Sequence, residues 1–145
     1  MVQRVSRAEV RVEGAVVGRI GSGLLLLVAV EKGDDAAIID TFADKVVNLR
    51  IFPDEAGRMN RSYLEEKTSL LAVSQFTLAG SLERGRRPSF EHAAPPDVAR
   101  LLFDRFVEKL RGSGVKVETG QFRAMMEVEL VNEGPVTFVL EGGNR

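Results

Sequence analysis

Ser74-Gln75-Phe76-Thr77 places two hydroxyls and an amide within four residues, directly after an apolar run. Polar groups at the end of a buried strand are well placed to meet a ligand. Two chemistries are open to them: a hydroxyl nucleophile, which needs a neighbouring base, or backbone N–H groups aimed at a developing oxyanion. The plainer reading is that Ser and Thr satisfy the backbone of a turn, as they commonly do. His92, fifteen residues beyond Thr77, is the single histidine and so the only imidazole that could act as base. No GxSxG elbow or other triad signature accompanies it, and a surface or capping histidine is the competing reading.

Arg84-Gly85-Arg86-Arg87 gathers three guanidiniums in four residues, the densest positive cluster of the chain. Such a cluster binds phosphates, or it is a solvated face paired with Glu83 and Glu91. Glu127 and Glu129 alternate with Met126, Val128 and Leu130, which is the wet face of a strand rather than a catalytic pair of carboxylates.

The 145 residues contain no cysteine. Disulfides, thiolate nucleophiles and Cys-type zinc sites are thereby excluded, the single histidine excludes any site needing two imidazoles, and no metal or other cofactor is expected. Twenty basic and 21 acidic residues give a net charge of −1, so the field of the whole molecule does not attract nucleic acid and any RNA contact must be local. The longest apolar run, 24–30, is far shorter than the roughly 20 residues that cross a bilayer. The first seven residues open no apolar signal core either, so a cytoplasmic protein with no membrane partner is expected.

These candidate groups need a scaffold, and the length of the chain fits one domain over 1–145. Ala8, Val10 and Val12 alternate with Arg7, Glu9, Arg11 and Glu13, predicting a strand with one wet face; Gly14 turns it into a second strand over 15–20. The unbroken apolarity of 24–30 predicts a central strand buried on both faces. Ile38, Ile39, Phe42, Ala43, Val46 and Val47 recur at helical spacing, with Asp34 or Asp35 as cap. Ile51-Phe52 reads as a short strand before a turn at 53–57, and 69–76 as another buried strand. A long loop then covers 77–94, a length usually functional or disordered. Pro95-Pro96-Asp97 opens a second helix burying Leu101, Leu102, Phe106, Val107 and Leu110, ended by Gly112 and Gly114. Strands at 115–117, 126–131 and 136–140 complete the chain, the last two joined by a tight turn at Asn132-Glu133-Gly134-Pro135.

Val2-Gln3-Arg4-Val5, Asn48-Leu49-Arg50-Ile51-Phe52, Ser74-Gln75-Phe76-Thr77-Leu78, Gly85-Arg86-Arg87-Pro88-Ser89-Phe90 and Asn132-Glu133-Gly134-Pro135-Val136-Thr137 follow one another in this order. The arrangement resembles the D-aminoacyl-tRNA deacylases over essentially the whole chain, with the SQFTL and NxGPVT segments together the most specific signal. The resemblance implies an α/β single domain, a mixed and barrel-like β-sheet with two or three helices packed on it, assembled as a homodimer. It implies a hydrolase that cleaves the ester between a D-amino acid, or mischarged glycine, and the 3′-terminal adenosine of tRNA. Ser74, Gln75, Phe76 and Thr77 would line the catalytic pocket, with Ala124 and Met126 on the substrate side. Gly134-Pro135, cis in the family, would reach into the partner's pocket as a chiral filter that Arg4 helps to fix. Arg84, Arg86 and Arg87 would then meet phosphates of the acceptor stem. Two departures stand out: Arg123 occupies a position where the family pattern has glycine, and Ala79-Gly80 follows SQFTL where tyrosine-alanine is common.

An amino acid and its mirror image differ only in where the substituents of Cα point, so discrimination requires a rigid obstacle there. A cis Gly–Pro unit is stiff, and its glycine lets backbone approach closely. Such a wall rejects by clash and ignores side-chain identity. With no convincing general base in the chain, the resemblance implies that the tRNA's vicinal 2′-OH assists hydrolysis while backbone N–H groups near Phe76 and Thr77 stabilise the oxyanion. A covalent Thr77 nucleophile is the rival within the enzyme class. A catalytically silent tRNA-binding module of the same fold, suggested by Arg123, is the alternative from another class.

Overall fold

The computed structural model describes residues 1–142. The chain begins with a hairpin of β1 (Val2–Val12) and β2 (Ala15–Ile20), closed by Glu13 and Gly14, both with positive φ. Two consecutive left-handed residues make the tight turn whose twist matches the flanking strands, and Gly14 adopts it without a Cβ penalty. The third strand, β3 (Gly23–Val28), lies antiparallel to the first half of β1 and parallel to β6 (Ser69–Ser74). At Gly23 a Cβ would collide with the Ser69 carbonyl, so glycine is what lets β3 and β6 pair at their start.

Parallel neighbours require crossovers. The segment between β3 and β6 carries α1 (Ala36–Val47), a small hairpin of β4 (Phe52–Pro53) and β5 (Met59–Arg61), and the single turn α2 (Tyr63–Glu66). Between β6 and its second parallel neighbour, β7 (Val117–Thr119), runs α3 (Pro96–Arg111). Asp35 is the cap of α1, its carboxylate accepting from the Ile38 amide at 2.9 Å, while Asp34 accepts from the Glu31 amide instead. The two long helices are tied by a bidentate pair, Arg105 to Asp40 at 2.8 Å on both oxygens, which holds the Asp40 carboxyl below its usual range.

Two cores result. Helices α1 and α3 pack Ile39, Val46, Phe103 and Phe106 onto Leu24, Leu26, Leu70 and Ala72, while Leu25, Leu71 and Val73 face the opposite side with Val5, Ala8, Val10 and Ile20. Strands β3 and β6 thus bury both faces, which is why their sequences carry unbroken apolar runs. The sheet curls until β2 lies against β7. There a Cβ on Gly18 would collide with the Thr119 carbonyl, so the barrel closes backbone to backbone, without ladder bonds. This is the expected mixed, barrel-like sheet, with three helices.

Several expectations need correction. The strands expected at 126–131 and 136–140 are one strand, β8 (Glu127–Phe138), antiparallel to β1 along its length. Between the pairs Val5↔Asn132 and Gln3↔Thr137, four residues of β8 face Arg4 alone, so Gly134-Pro135 sits on a wide bulge and not in a reversing turn. Proline lacks the N–H a ladder needs, and an edge strand with a bulge is where a sheet tolerates it. Leu101 is 72% exposed; Phe103 takes its place on the buried face of α3. Strand β3 stops at Val28 and β6 at Ser74, and the expected long loop begins with a 3-10 turn over Phe76–Ala79. The strand expected at 115–117 is β7, shifted to Val117–Thr119.

Candidate active site

Strand β6 ends beside Val28, and the Gln75 amide donates to the Val28 carbonyl at 2.7 Å, extending the pairing by one residue. The chain then tightens into the 3-10 turn, closed by Leu78 N–H to Gln75 O at 3.2 Å and Gly80 N–H to Thr77 O at 3.0 Å. The first amides of any helical turn have no partner within it. Here they are Phe76 and Thr77, and among the described residues neither donates a hydrogen bond. Gln75 does not cap them; its side-chain amide donates to Thr77 Oγ1 at 3.0 Å. The Phe76 ring is 57% exposed, and Thr77 is exposed beside it. A buried strand therefore delivers two adjacent N–H donors to an open surface, the arrangement that stabilises an oxyanion.

No base attends the Thr77 hydroxyl: among the described residues its side-chain hydrogen-bond partner is Gln75 alone. His92 is exposed, and its ring pairs with Glu91 at 3.6 Å.

The bulge of β8 is held by two side chains, Arg4 and Asn132. Arg4, with its side chain 12% exposed, donates from Nε to the Glu133 carbonyl at 3.3 Å and from Nη1 to the Ile51 carbonyl at 2.9 Å, and lies 3.5 Å from the Glu133 carboxylate. Asn132 spans the bulge, accepting from the Val136 amide at 2.8 Å and donating to Thr137 Oγ1 at 2.8 Å. Gly134, with φ of +130°, and Pro135 are exposed at the crest, and the peptide between them is cis. A Cβ at 134 would come within 2.7 Å of Val136 Cγ2, so glycine keeps the crest bare. Sequence reasoning finds Arg4 but misses the roles of Ile51 and Asn132: Ile51 is a core residue that serves Arg4 through its backbone carbonyl, which no side-chain pattern signals, whereas Asn132, a polar residue inside the NxGPVT segment, could have been found.

Within one protomer the bulge and the 3-10 turn are not brought together. Gly134 lies level with Arg4 and Leu24, whereas Ser74 lies level with Val28, across the strands β8, β1, β3 and β6. That is on the order of 13 Å along the strands and 14 Å across them.

Arg84, Arg86 and Arg87 are exposed on an arm whose base is a bridge between Ser81 and Ser89 and whose tip turns at Gly85, φ +76°. Among the described residues none of the three makes an ion pair, so the pairing with Glu83 and Glu91 weighed from sequence does not form. Just beyond β7, where Gly120 N–H donates to the Ala72 carbonyl of β6 at 3.3 Å, Gln121 O accepts from Ala124 N at 3.2 Å, a turn that puts Arg123 at φ +64°, where glycine would be unstrained. Ala124 is half-buried, and Met126 rests its sulfur over Gly120 against the second core.

The family model for D-Tyr-tRNA(Tyr) deacylase matches residues 1–141. The chain belongs to that family. Relatives named D-aminoacyl-tRNA deacylase include that of Pelobacter propionicus, 56% identical over 97% of both chains. That of Geobacter sulfurreducens is 54% identical over all of this chain and 95% of its own. Among solved structures, the c-Myc DNA unwinding element binding protein superposes with a TM-score of 0.92 at 35% identity, covering 99% of this chain and 97% of its own. A probable eukaryotic D-amino acid tRNA deacylase shares the fold, with a TM-score of 0.79 at 19% identity over 91% of this chain and 92% of its own. No helix of the described residues of this deacylase-family chain is long and apolar enough to cross a membrane.

Proposed function

We propose that this deacylase-family chain hydrolyses the ester joining a D-amino acid, or glycine, to the 3′-terminal adenosine of tRNA, with the substrate's vicinal 2′-OH serving where a protein base is missing. The names of the relatives, at 54–57% identity, support the reaction class. The observation that carries the mechanism is the pair of unbonded amides at Phe76 and Thr77 beside a hydroxyl that no base attends. Water adds to the ester carbonyl carbon, and the carbonyl electron pair moves onto an oxygen held by those two N–H groups. The water's proton passes by way of the 2′-OH to the departing 3′-oxygen. Cleavage of the bond between that oxygen and the carbonyl carbon leaves a free amino acid and tRNA with its 3′-OH. One such donor is typically worth about 10²–10³ in rate.

Selectivity for the D form comes, in this reading, from the Gly134–Pro135 crest of a second copy of the chain, held by Arg4. The separation of crest and turn within one protomer supports a filter that acts on the partner. Ala124 and Met126 flank the substrate, and Arg84, Arg86 and Arg87, exposed and without ion pairs, hold phosphates of the acceptor stem in a cytoplasmic homodimer that needs no cofactor.

Purified protein is incubated with D-Tyr-tRNA and with L-Tyr-tRNA, and loss of the ester is followed. Cleavage of the D ester with the L ester spared is expected. Equal rates on both would overturn the filter, and no cleavage of either would leave the silent tRNA-binding module.

A further inference from the structure

We infer that Phe90 is a positioning residue for the site, one that locks the 3-10 turn and thereby aims its two free amides; the inference rests on the oxyanion reading given above. Phe90 meets that turn at both ends. At its start, the Phe90 ring meets the Phe76 ring edge to face, with centroids 5.0 Å apart and 62° between the planes. At its end, the same ring lies on Gly80: a Cβ there would come within 2.8 Å of Phe90 Cε1 and 3.2 Å of Cδ1. One side chain thus brackets the five residues whose backbone presents the Phe76 and Thr77 amides.

A bracket is useful only if it is itself fixed, and the backbone of Phe90 is. On one side, Ser81 and Ser89 exchange two backbone hydrogen bonds, at 2.7 and 2.9 Å. On the other, Ala93 N–H donates to Phe90 O at 3.1 Å, and the return limb is stitched to the chain beyond β3. Those stitches are Lys32 N–H to His92 O at 2.9 Å, Ala94 N–H to Val30 O at 3.0 Å, and the Glu31↔Ala93 bridge. Phe90 is therefore presented by backbone anchored to the central sheet, while the arginine-bearing tip of the same arm is tied at its base alone.

The 3-10 turn needs such a lock. It is a single short 3-10 run, its first residue has an exposed ring, and no side chain caps its amides. Oxyanion donors contribute in proportion to how little they must reorganise, so a residue that holds the turn acts on the rate of the chemical step and not on substrate affinity. An aromatic pair of this geometry is worth enough to change a rate by about two- to tenfold.

The test uses the full chain and D-Tyr-tRNA. Phe90→Leu keeps apolar bulk but loses the edge-to-face ring, and Phe90→Tyr restores the ring. The expected result is a kcat lowered about fivefold in Phe90→Leu with KM unchanged, recovered in Phe90→Tyr, and a melting temperature for both near that of the parent. In a Phe76→Leu background, Phe90→Leu is expected to cost clearly less than it does alone, because part of its effect runs through that ring and the rest through Gly80. A raised KM at constant kcat, an additive double variant, or parental kcat in Phe90→Leu would overturn the assignment. Should Phe90→Leu melt far below the parent, the same kinetic criteria are applied to Phe90→Met, whose flexible side chain fills the seat without a ring. These outcomes are distinct from failure of the deacylase reading, in which the parent chain itself releases no D-tyrosine.

Discussion

At the scale of single residues, Thr77 and Arg123 make opposite cases. Thr77 has the hydroxyl of a nucleophile, yet that oxygen accepts from Gln75 and no base approaches it. Thr77→Ala should therefore retain substantial deacylase activity, while tRNA ending in 2′-deoxyadenosine should be cleaved slower by about 10²-fold or more, the scale of losing one well-placed group in the transition state. A trapped acyl ester on Thr77, or full activity on the deoxy substrate, would reverse that order. Arg123 has the φ of a glycine, +64°, and exposes its side chain to solvent. Left-handed backbone costs a residue with a Cβ roughly 1–2 kcal/mol, and glycine's greater freedom when unfolded returns about half of that. Arg123→Gly is thus expected to stabilise the fold by about 0.5–1 kcal/mol, read as a higher urea midpoint at unchanged slope. A lower midpoint would show that the guanidinium contributes more than the strain costs.

Among elements, the arm over 81–89 is anchored at its base and free at its arginine-bearing tip. If Arg84, Arg86 and Arg87 meet phosphates, replacing all three with Ala should weaken tRNA binding and make the plot of log affinity against log salt shallower by about 0.7–0.9 per lost contact. An unchanged slope would leave the cluster a solvated face. The elements with long, regular apolar patterns are legible in the amino-acid sequence: α1 with its Asp35 cap, the β1–β2 hairpin and the doubly buried β3. Where the sequence misleads, a local signal is outweighed by a partner far away in the chain. Asn132-Glu133-Gly134-Pro135 has the composition of a reversing turn, but pairing with β1 on both sides keeps β8 from reversing there and leaves a bulge instead. Helix α2 escapes a periodicity search although Ser62 and Glu65 form a reciprocal capping box, because one turn has no period to detect. Apolarity alone puts Leu101 in the core, while the rotation of α3 against the sheet gives that place to Phe103. The candidate site is legible as the Ser74–Thr77 segment, and the resemblance points to its Phe76 and Thr77 amides; the 3-10 turn that leaves those two amides without partners is a backbone feature that no side-chain pattern announces.

For the whole molecule, selectivity and assembly are one question. In the proposed mechanism, a crest on the order of 13 Å along and 14 Å across the sheet from the 3-10 turn of its own protomer screens the substrate of another copy. Charge substitutions that dissociate the protein should therefore abolish discrimination between D- and L-Tyr-tRNA along with dimerisation; a monomer by sedimentation that still discriminates would sink the filter in trans. The same bulge matters for a second reason. Strand β8 is twelve residues long and, among the described residues, pairs along one edge only, with β1. An open edge of that length invites strand-to-strand association of many copies, the first step of aggregation. Pro135 offers no N–H there, the bulge breaks the edge into two short stretches, and Glu127, Glu129 and Glu133 stand exposed along it. The kink therefore also guards solubility: straightening it would turn an edge that can pair only briefly into a template for fibres.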